Sequence, residues 1–354
     1  MARIAFYAPM KPPDHPVPSG DRQIARLLMT ALERAGHAPR IASRLCLREG
    51  RGDPAAQECL RAEAAREAAR IAALPPDRRP DLWLTYHSYW KAPDLLGPAV
   101  AGALGLPLVI VEPIHSPQRL EGPWAGFARA ALAGFRRADR LIWTKPRDLP
   151  ALETVARPGQ LAHLPPFVDP GPEPAPPEPS AELRILAVAM MRPGDKIASF
   201  AALGRALAHL PGPWRLTVAG DGPARAEAEA CLAGLPVRFL GAVGDPARLR
   251  RLYETHDLLL WPGVGEGIGM VYLEAMAAGC PALAENHPGP AALLEGPLPE
   301  PGDPAALARA ALALARDPGA RARARRRVLE RHAIGPAAER LAAILAPLLE
   351  GGGR

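Results

Sequence analysis

Two carboxylates in the stretch "EGIGMVYLEAMAAG" are spaced for binding work: Glu266 and Glu274, with seven residues between them. Glu266 falls in a glycine-punctuated loop, "GVGEGIG", and Glu274 lies one to two turns into the helix predicted from "MVYLEAMAAG". Every other residue from Val271 to Ala278 is apolar or small, so that helix should be buried on all faces. A carboxylate there is costly without a partner. It must reach water through a gap, or be met by protein or ligand. Glycines let backbone approach a ligand closely. The free N–H groups and positive dipole end of a helix start suit a phosphate. Each carboxylate can accept two hydroxyl hydrogen bonds. Carboxylates bracketing such a helix start fit a ligand with hydroxyls on both sides of its phosphates. A nucleotide-sugar has that form, with ribose on one side and hexose on the other.

A pair of cations adds to this. "MMRPGDK" places Arg192 and Lys196 in a loop after the strand candidate "LRILAVA". Two cations at a strand's carboxyl end could neutralise a diphosphate and stabilise it as a leaving group. The alternative is a pair of ordinary solvated charges. Of 43 basic residues only four are Lys (Lys11, Lys91, Lys145 and Lys196), so a retained lysine is worth attention.

The elements that must position these groups alternate along the chain. "RIAFYA", "DLWLTYH", "PLVIVEPIH" and "RLIWT" read as strands separated by helices. A helix from Asp21 carries its apolar face on Ile24, Leu27, Leu28, Ala31 and Leu32, and Gly36 ends it. The segment from Asp53 to Leu74 reads as a polar surface helix. A Pro-rich run, "PPFVDPGPEPAPPEPSAEL", then resists regular structure and reads as a semi-rigid linker. Beyond it the alternation restarts with "LRILAVA", "WRLTVAG", "VRFLGA" and "DLLLWP". Such alternation predicts parallel sheets covered by helices. At 354 residues the chain is too long for one core. The expected division is residues 1–168, a linker at 169–182, residues 183–335, and a helix over 336–354 crossing back to the first domain. Two doubly wound α/β domains would place the site in the cleft between them.

Composition narrows the class. The net charge of +6 comes with 44 Pro and a basic complement that is almost all Arg, which reads as coding bias rather than selection for phosphate binding. No aromatic or basic motif supports a nucleic-acid partner. Cys46, Cys59, Cys231 and Cys280 lack metal spacing and read as reduced thiols of a cytosolic protein. No apolar run approaches the roughly 18 residues of a membrane span, and the N-terminus reads as a first strand rather than a leader. The run "RARARRRVLERH" reads as a solvated helix face, or more sharply as contact with an anionic inner membrane surface.

These residues carry a resemblance. Glu-x7-Glu within "EGIGMVYLEAMAAGCP" looks like the signature of the retaining glycosyltransferases of family four, which have the GT-B fold. "VAGDGPARAEAEA", "VRFLGAV" and "LRRLYETHDLLLWP" are similar to that family's C-terminal domain in order and spacing. "PSGDRQIARLLMTALERAGH" resembles its N-terminal glycine loop and first helix, and "LPPFVDP" its interdomain junction. The resemblance is strong over 183–285 and thin over 40–160.

It implies roles. Glu266 with the backbone of Gly267, Ile268, Gly269 and Met270 would hold the donor sugar at the helix start, and Glu274 the ribose diol. Arg192 and Lys196 would grip the diphosphate, which Gly20 would let the N-terminal loop approach. His115, in "EPIH", matches a histidine near the transferred sugar, with His87 in "LTYHSYW" as its competitor; a satisfied structural histidine is the plainer reading of either. Catalysis would rest on Glu266, His115, Arg192 and Lys196. The implied reaction moves a sugar from a nucleotide-sugar to an acceptor hydroxyl with retention. The acceptor attacks from the leaving-group face and a donor phosphate oxygen takes its proton. No metal or other cofactor is expected, since there is no Asp-x-Asp and the cations can stabilise the diphosphate. The acceptor would be a sugar or a lipid-linked glycan, in glycan, glycolipid or exopolysaccharide synthesis.

Some features depart from the pattern. Pro288, Gly289 and Ala291 or Ala292 stand where the family often has Gly-Gly and another Glu, and no crossover aromatic lies near His332. "APMKPPDHPVPSG" is unusually Pro-rich and could shape a particular acceptor site. Other readings are a non-catalytic nucleotide-sugar-binding partner, and a GT-B relative such as a sugar-nucleotide epimerase or phosphorylase. An NAD-dependent oxidoreductase would need a G-x-G-x-x-G after the first strand, which is missing.

Overall fold

The computed structural model describes residues 1–350 apart from Pro18 and Pro176. The expected linker over 169–182 and final helix over 336–354 therefore fall partly outside the described residues. The chain forms two compact units, Met1–Pro165 with Ile334–Arg354, and Pro166–Ala333.

The first unit is a parallel six-stranded sheet. Its strands are β1 (Arg3–Tyr7), β2 (Ala38–Ile41), β3 (Leu82–Tyr86), β4 (Leu108–Val111), β5 (Arg140–Trp143) and β6 (Leu161–His163), in the order β2-β1-β3-β4-β5-β6. Helices α1 (Gly20–Arg34), α2 (Pro54–Ala72), α3 (Gly97–Leu104), α4 (Ala125–Arg137) and α5 (Leu149–Glu153) alternate with them. β3 and β4 are buried at every position, because helices cover both faces; their sequences are accordingly continuous apolar runs. The short edge strands β2 ("APRI") and β6 ("LAH") carry neither an apolar run nor an alternation, so the sequence reading leaves them out. The strand expected over "PLVIVEPIH" stops at Val111, because Glu112 turns into the left-handed region at φ 56°.

Ser19 caps α1, its side chain accepting from the Arg22 N–H. Ala25, Leu28, Ala31 and Leu32 form its buried stripe. Helix α2 is less of a surface helix than its polarity suggests, since Ala64, Ala68 and Ile71 are buried and α3 packs against it. The final long helix of the chain (Ile334–Glu350) packs on α1 and buries Ile334, Ala337, Ala338, Leu341 and Leu345.

The second unit is a parallel five-stranded sheet of β7 (Leu183–Val188), β8 (Trp214–Ala219), β9 (Val237–Phe239), β10 (Leu258–Leu260) and β11 (Ala282–Leu283), in the order β11-β10-β7-β8-β9. Its helices are α6 (Asp195–Leu207), α7 (Arg225–Cys231), α8 (Pro246–Thr255), α9 (Met270–Ala277), α10 (Pro288–Ala291), α11 (Pro304–Arg316) and α12 (Ala320–Arg327), leaving α13 as the final helix. Phe200, Trp214, Trp261 and Tyr272 are the large side chains of its core.

The arginine-rich run has a solvated face, where Arg323, Arg326 and Arg331 are exposed, and its other arginines turn inward. Arg321 donates to the carbonyls of His256 and Glu254, and Arg327 to that of Leu293. Arg325 is buried and donates to Glu173 and to the carbonyls of Pro170, Gly171 and Ala277. Helix α12 is thereby clamped to the Pro-rich segment and to α9. Arg250 adds bonds to Pro170 and Pro172, so that segment lies against the second unit.

Candidate functional site

In an open parallel sheet, ligands bind beyond the carboxyl ends of the strands where the strand order reverses. In the second unit that point lies between β7 and β10, whose neighbours run outward on either side. The loop after β7 leads into α6 with Lys196 in its first turn, and the loop after β10 is the glycine-rich segment holding Glu266. Lys196 and Glu266 form an ion pair across this crevice. The Trp261 indole N–H donates to the same Glu266 oxygen, Oε1, at 3.0 Å. Both donors go to one oxygen, so Oε2 keeps its capacity to accept hydroxyls.

The glycine loop is held open from both sides. The Val264 N–H donates to the Ser199 hydroxyl on α6. Gly265 has φ 67°, and a Cβ there would stand 2.2 Å from the Asp195 carboxylate. Gly269 adopts φ 73° directly before α9, where a Cβ would strike the Tyr272 ring. Tyr272 is itself fixed by donating to the Trp261 carbonyl at 2.9 Å. A side chain at either glycine would therefore displace the loop.

Glu274 is half-buried, and the Tyr253 hydroxyl of α8 donates to it at 3.1 Å. Burial, with the Glu274 charge beside it, holds the Tyr253 proton well above the usual phenol range, so Tyr253 remains a donor. The carboxylate in an apolar helix thus has a protein partner. It also faces a cavity of about 550 Å³, lined by Val188, Met190, Lys196, Gly220, Glu266 and Glu274 among others. That volume suits a drug-sized ligand.

Gly269 and Met270 line this cavity; Gly267 and Ile268 belong to the same loop, Ile268 turned into the core. Arg192 stands exposed on the loop before α6 and is not among the lining residues. Trp261, Tyr253, Gly220 and Asp221 escaped the sequence reading. A tryptophan ending a strand beside a glycine loop, in a chain with 5% aromatics, was the available signal for Trp261.

The first unit has its own reversal, between β1 and β3. Gly20 and Asp21 open α1 after the β1 loop, and His87 follows β3. His87 Nδ1 lies 3.1 Å from Asp21 and 3.8 Å from Glu112, which follows β4. Lys145, after β5, pairs with Glu112 at 2.5 Å. Burial raises the Asp21 carboxyl, but the His87 hydrogen bond and charge, with Lys145 beyond, outweigh it and hold it below the usual range. His87 and Glu112 are the non-glycine residues at positive φ, 60° and 56°, among the described residues. Such strain persists only where surroundings enforce it, and it concentrates at functional sites. His115 lies further along the β4 loop; burial, then Arg136, lowers its pKa. The structure thus builds a charged cluster around His87 rather than His115.

Comparison with known proteins gives this geometry a context. Residues 182–317 match the family described as Glycosyl transferases group 1. The second unit carries a group 1 glycosyl transferase domain. The chain is 39% identical over 72 residues to a GDP-mannose-dependent alpha-(1-6)-phosphatidylinositol dimannoside mannosyltransferase of Mycobacterium tuberculosis, covering 20% of this chain and 19% of that protein. It is 36% identical over 76 residues to a sulfoquinovosyl transferase of Arabidopsis thaliana, covering 21% of this chain and 14% of that protein. The aligned stretches thus span under a fifth of these relatives. Among solved structures, HepE of Anabaena in complex with UDP and glucose matches with a TM-score of 0.67 and 18% identity, covering 98% of this chain and all of that one (100%). Sucrose-phosphate synthase from Thermosynechococcus elongatus matches with a TM-score of 0.70 and 21% identity, over 99% and 100% of the two chains. Around the group 1 domain the fold is therefore GT-B, with two Rossmann-like α/β units.

Proposed function

We propose that this chain is a retaining glycosyltransferase that moves a sugar from a nucleotide-sugar to an acceptor hydroxyl without a metal ion. The observation that carries the reading is the cavity at the strand reversal of the second unit, where Lys196, Glu266, Glu274 and the start of α9 converge. Glu274 takes the ribose diol, supported by its Tyr253 partner. The N–H groups opening α9 at Met270, with Lys196 and Arg192, meet the diphosphate and stabilise it as it leaves. Glu266 Oε2 and the backbone of Gly267, Ile268 and Gly269 hold the sugar hydroxyls. Gly20, which opens α1, is the residue to which the resemblance gives a diphosphate contact in the first unit. That HepE was solved with UDP and glucose, and that a relative is GDP-mannose-dependent, support the donor class and leave the base open between uridine and guanosine.

For the histidine near the transferred sugar, the resemblance points to His115 and the geometry to His87. Asp21 and Glu112 orient His87, and its backbone strain marks it as built for a task. The acceptor is a sugar or lipid-linked glycan. Among the described residues no helix is long and apolar enough to cross a membrane.

The test is to incubate the protein with nucleotide-sugars, measure nucleoside diphosphate release, and assign the product anomer by NMR. Retention gives a product with the donor's anomeric configuration, and EDTA leaves the rate unchanged. An inverted product, or a rate abolished by EDTA and restored by a divalent cation, would refute this reading. Lys196→Ala should lower kcat more than it raises KM, because the diphosphate's charge develops as the bond breaks.

A further inference from the structure

The loops after β3 and β4 carry a feature that donor binding does not use. Trp90 and Trp124 meet edge to face, with centroids 5.0 Å apart and planes at 77°. Lys91 Nζ sits 4.7 Å from the Trp90 ring centroid and 5.2 Å from that of Trp124. The Arg119 guanidinium sits 4.3 Å and 5.4 Å from the same two rings. Such contacts occur about once per 70–80 residues; four of them on one indole pair make a built platform rather than a surface accident.

The platform is fixed by backbone. The Trp124 indole N–H donates to the Glu49 carbonyl, and the Glu49 N–H to the Lys91 carbonyl. The Glu49 carboxylate is buried and accepts from the N–H groups of Arg51, Gly52 and Asp53, so its charge is already met. Neither Lys91 nor Arg119 has a carboxylate within ion-pair distance among the described residues; Glu121, exposed on the same loop, pairs with neither. Two cations held against apolar rings, short of counter-charge, are pre-organised for an anion. Ring contacts connect them to the strained histidine. His87 lies 4.9 Å from Tyr89, and Tyr89 lies 5.9 Å from Trp90. Lys91 is also one of the chain's four lysines.

We infer that this platform selects an acceptor bearing an anionic group, a phosphate or a carboxylate attached to a sugar. Lys91 and Arg119 bind the anion, the partly exposed indoles of Trp90 and Trp124 pack against the sugar, and the acceptor hydroxyl lies toward His87. The inference rests on the transferase reading for its meaning, but its binding chemistry can be measured separately.

The experiment is a calorimetric titration of the full chain at low salt with mannose 6-phosphate, glucuronate and neutral methyl mannoside. A parallel titration uses the Lys91→Ala/Arg119→Ala double variant. Neither side chain makes an ion pair with the rest of the fold, so the variant should fold, and unchanged nucleotide binding by the second unit confirms it. The charged sugars should bind about tenfold or more tighter than the neutral one, as expected for hydrogen bonds to charged groups. The double variant should lose that preference. Equal binding of neutral and charged sugars, a preference that survives in the variant, or no measurable binding of either charged sugar overturns the inference. Nucleotide binding without anion preference would defeat the platform alone. Anion preference without nucleotide binding would defeat the transferase reading alone.

Discussion

At the scale of residues, the account turns on how carboxylates are partnered. Glu274 was visible in the sequence because a charge inside an apolar helix needs an explanation. Its partner Tyr253, 21 positions away on α8, was not visible, since only folding brings them together. Glu274→Ala should weaken nucleotide binding about tenfold to a hundredfold, the range for losing hydrogen bonds to a charged group. Tyr253→Phe should weaken it less, because the carboxylate itself remains. Both follow from titrating nucleoside diphosphates into each variant. In the first unit, Asp21→Asn should lower turnover more than it weakens nucleotide binding, because it removes the carboxylate partner that orients His87. His87→Ala should cost more turnover than His115→Ala; the reverse order would return the role to His115. The resemblance favours His115, at the strand end expected over "EPIH", and the geometry favours His87. Glu112 ends that strand three residues earlier by entering positive φ, which no pattern of residue types announces.

At the scale of elements, the lysines show what the fold arranges. Lys11 follows β1, Lys91 follows β3, Lys145 follows β5 and Lys196 follows β7, so each lies beyond the carboxyl end of a parallel strand. In an arginine-biased chain, lysine persists on the edges where ligands of such sheets bind. The continuous apolar runs of β3 and β4 and the stripe of α1 were legible because burial dictates them. The edge strands β2 and β6 were not, because they are too short and too little buried to show a period. The inward turn of Arg321, Arg325 and Arg327 was also hidden, since an arginine that donates to carbonyls reads the same as one facing water. Two predictions belong here. Gly265→Ala should abolish nucleotide binding, because its Cβ would clash with Asp195 at a φ that alanine resists. Leu341→Ala, emptying a fully buried position on α13, should destabilise the first unit by about 2–5 kcal/mol in denaturant unfolding.

At the scale of the whole molecule, stability should depend on pH through two buried histidines. His256 bonds to the Leu252 carbonyl and Thr217, and His332 to the Pro166 carbonyl. Burial lowers both pKa values despite those bonds. The unfolded chain therefore binds protons that the folded one refuses, and stability rises with pH across that window. Their contribution is full above the ordinary histidine value of about 6.5 and is lost as pH falls toward the lowered folded values. Thermal midpoints should drop on acidification from neutrality, and a His256→Gln/His332→Gln variant should show a shallower drop.

Whether the second unit's cavity holds a nucleotide-sugar can be read from thermal shift. The panel is UDP, GDP, ADP, TDP and their common sugar conjugates, each with and without EDTA, on the wild type and on Glu274→Ala. A ligand that binds only the folded state must raise its apparent stability. A rise is expected with one nucleotide family, indifferent to EDTA and smaller in the variant at the same ligand concentration. No rise with any of them from well-folded protein, or a rise undiminished in Glu274→Ala, would refute this reading.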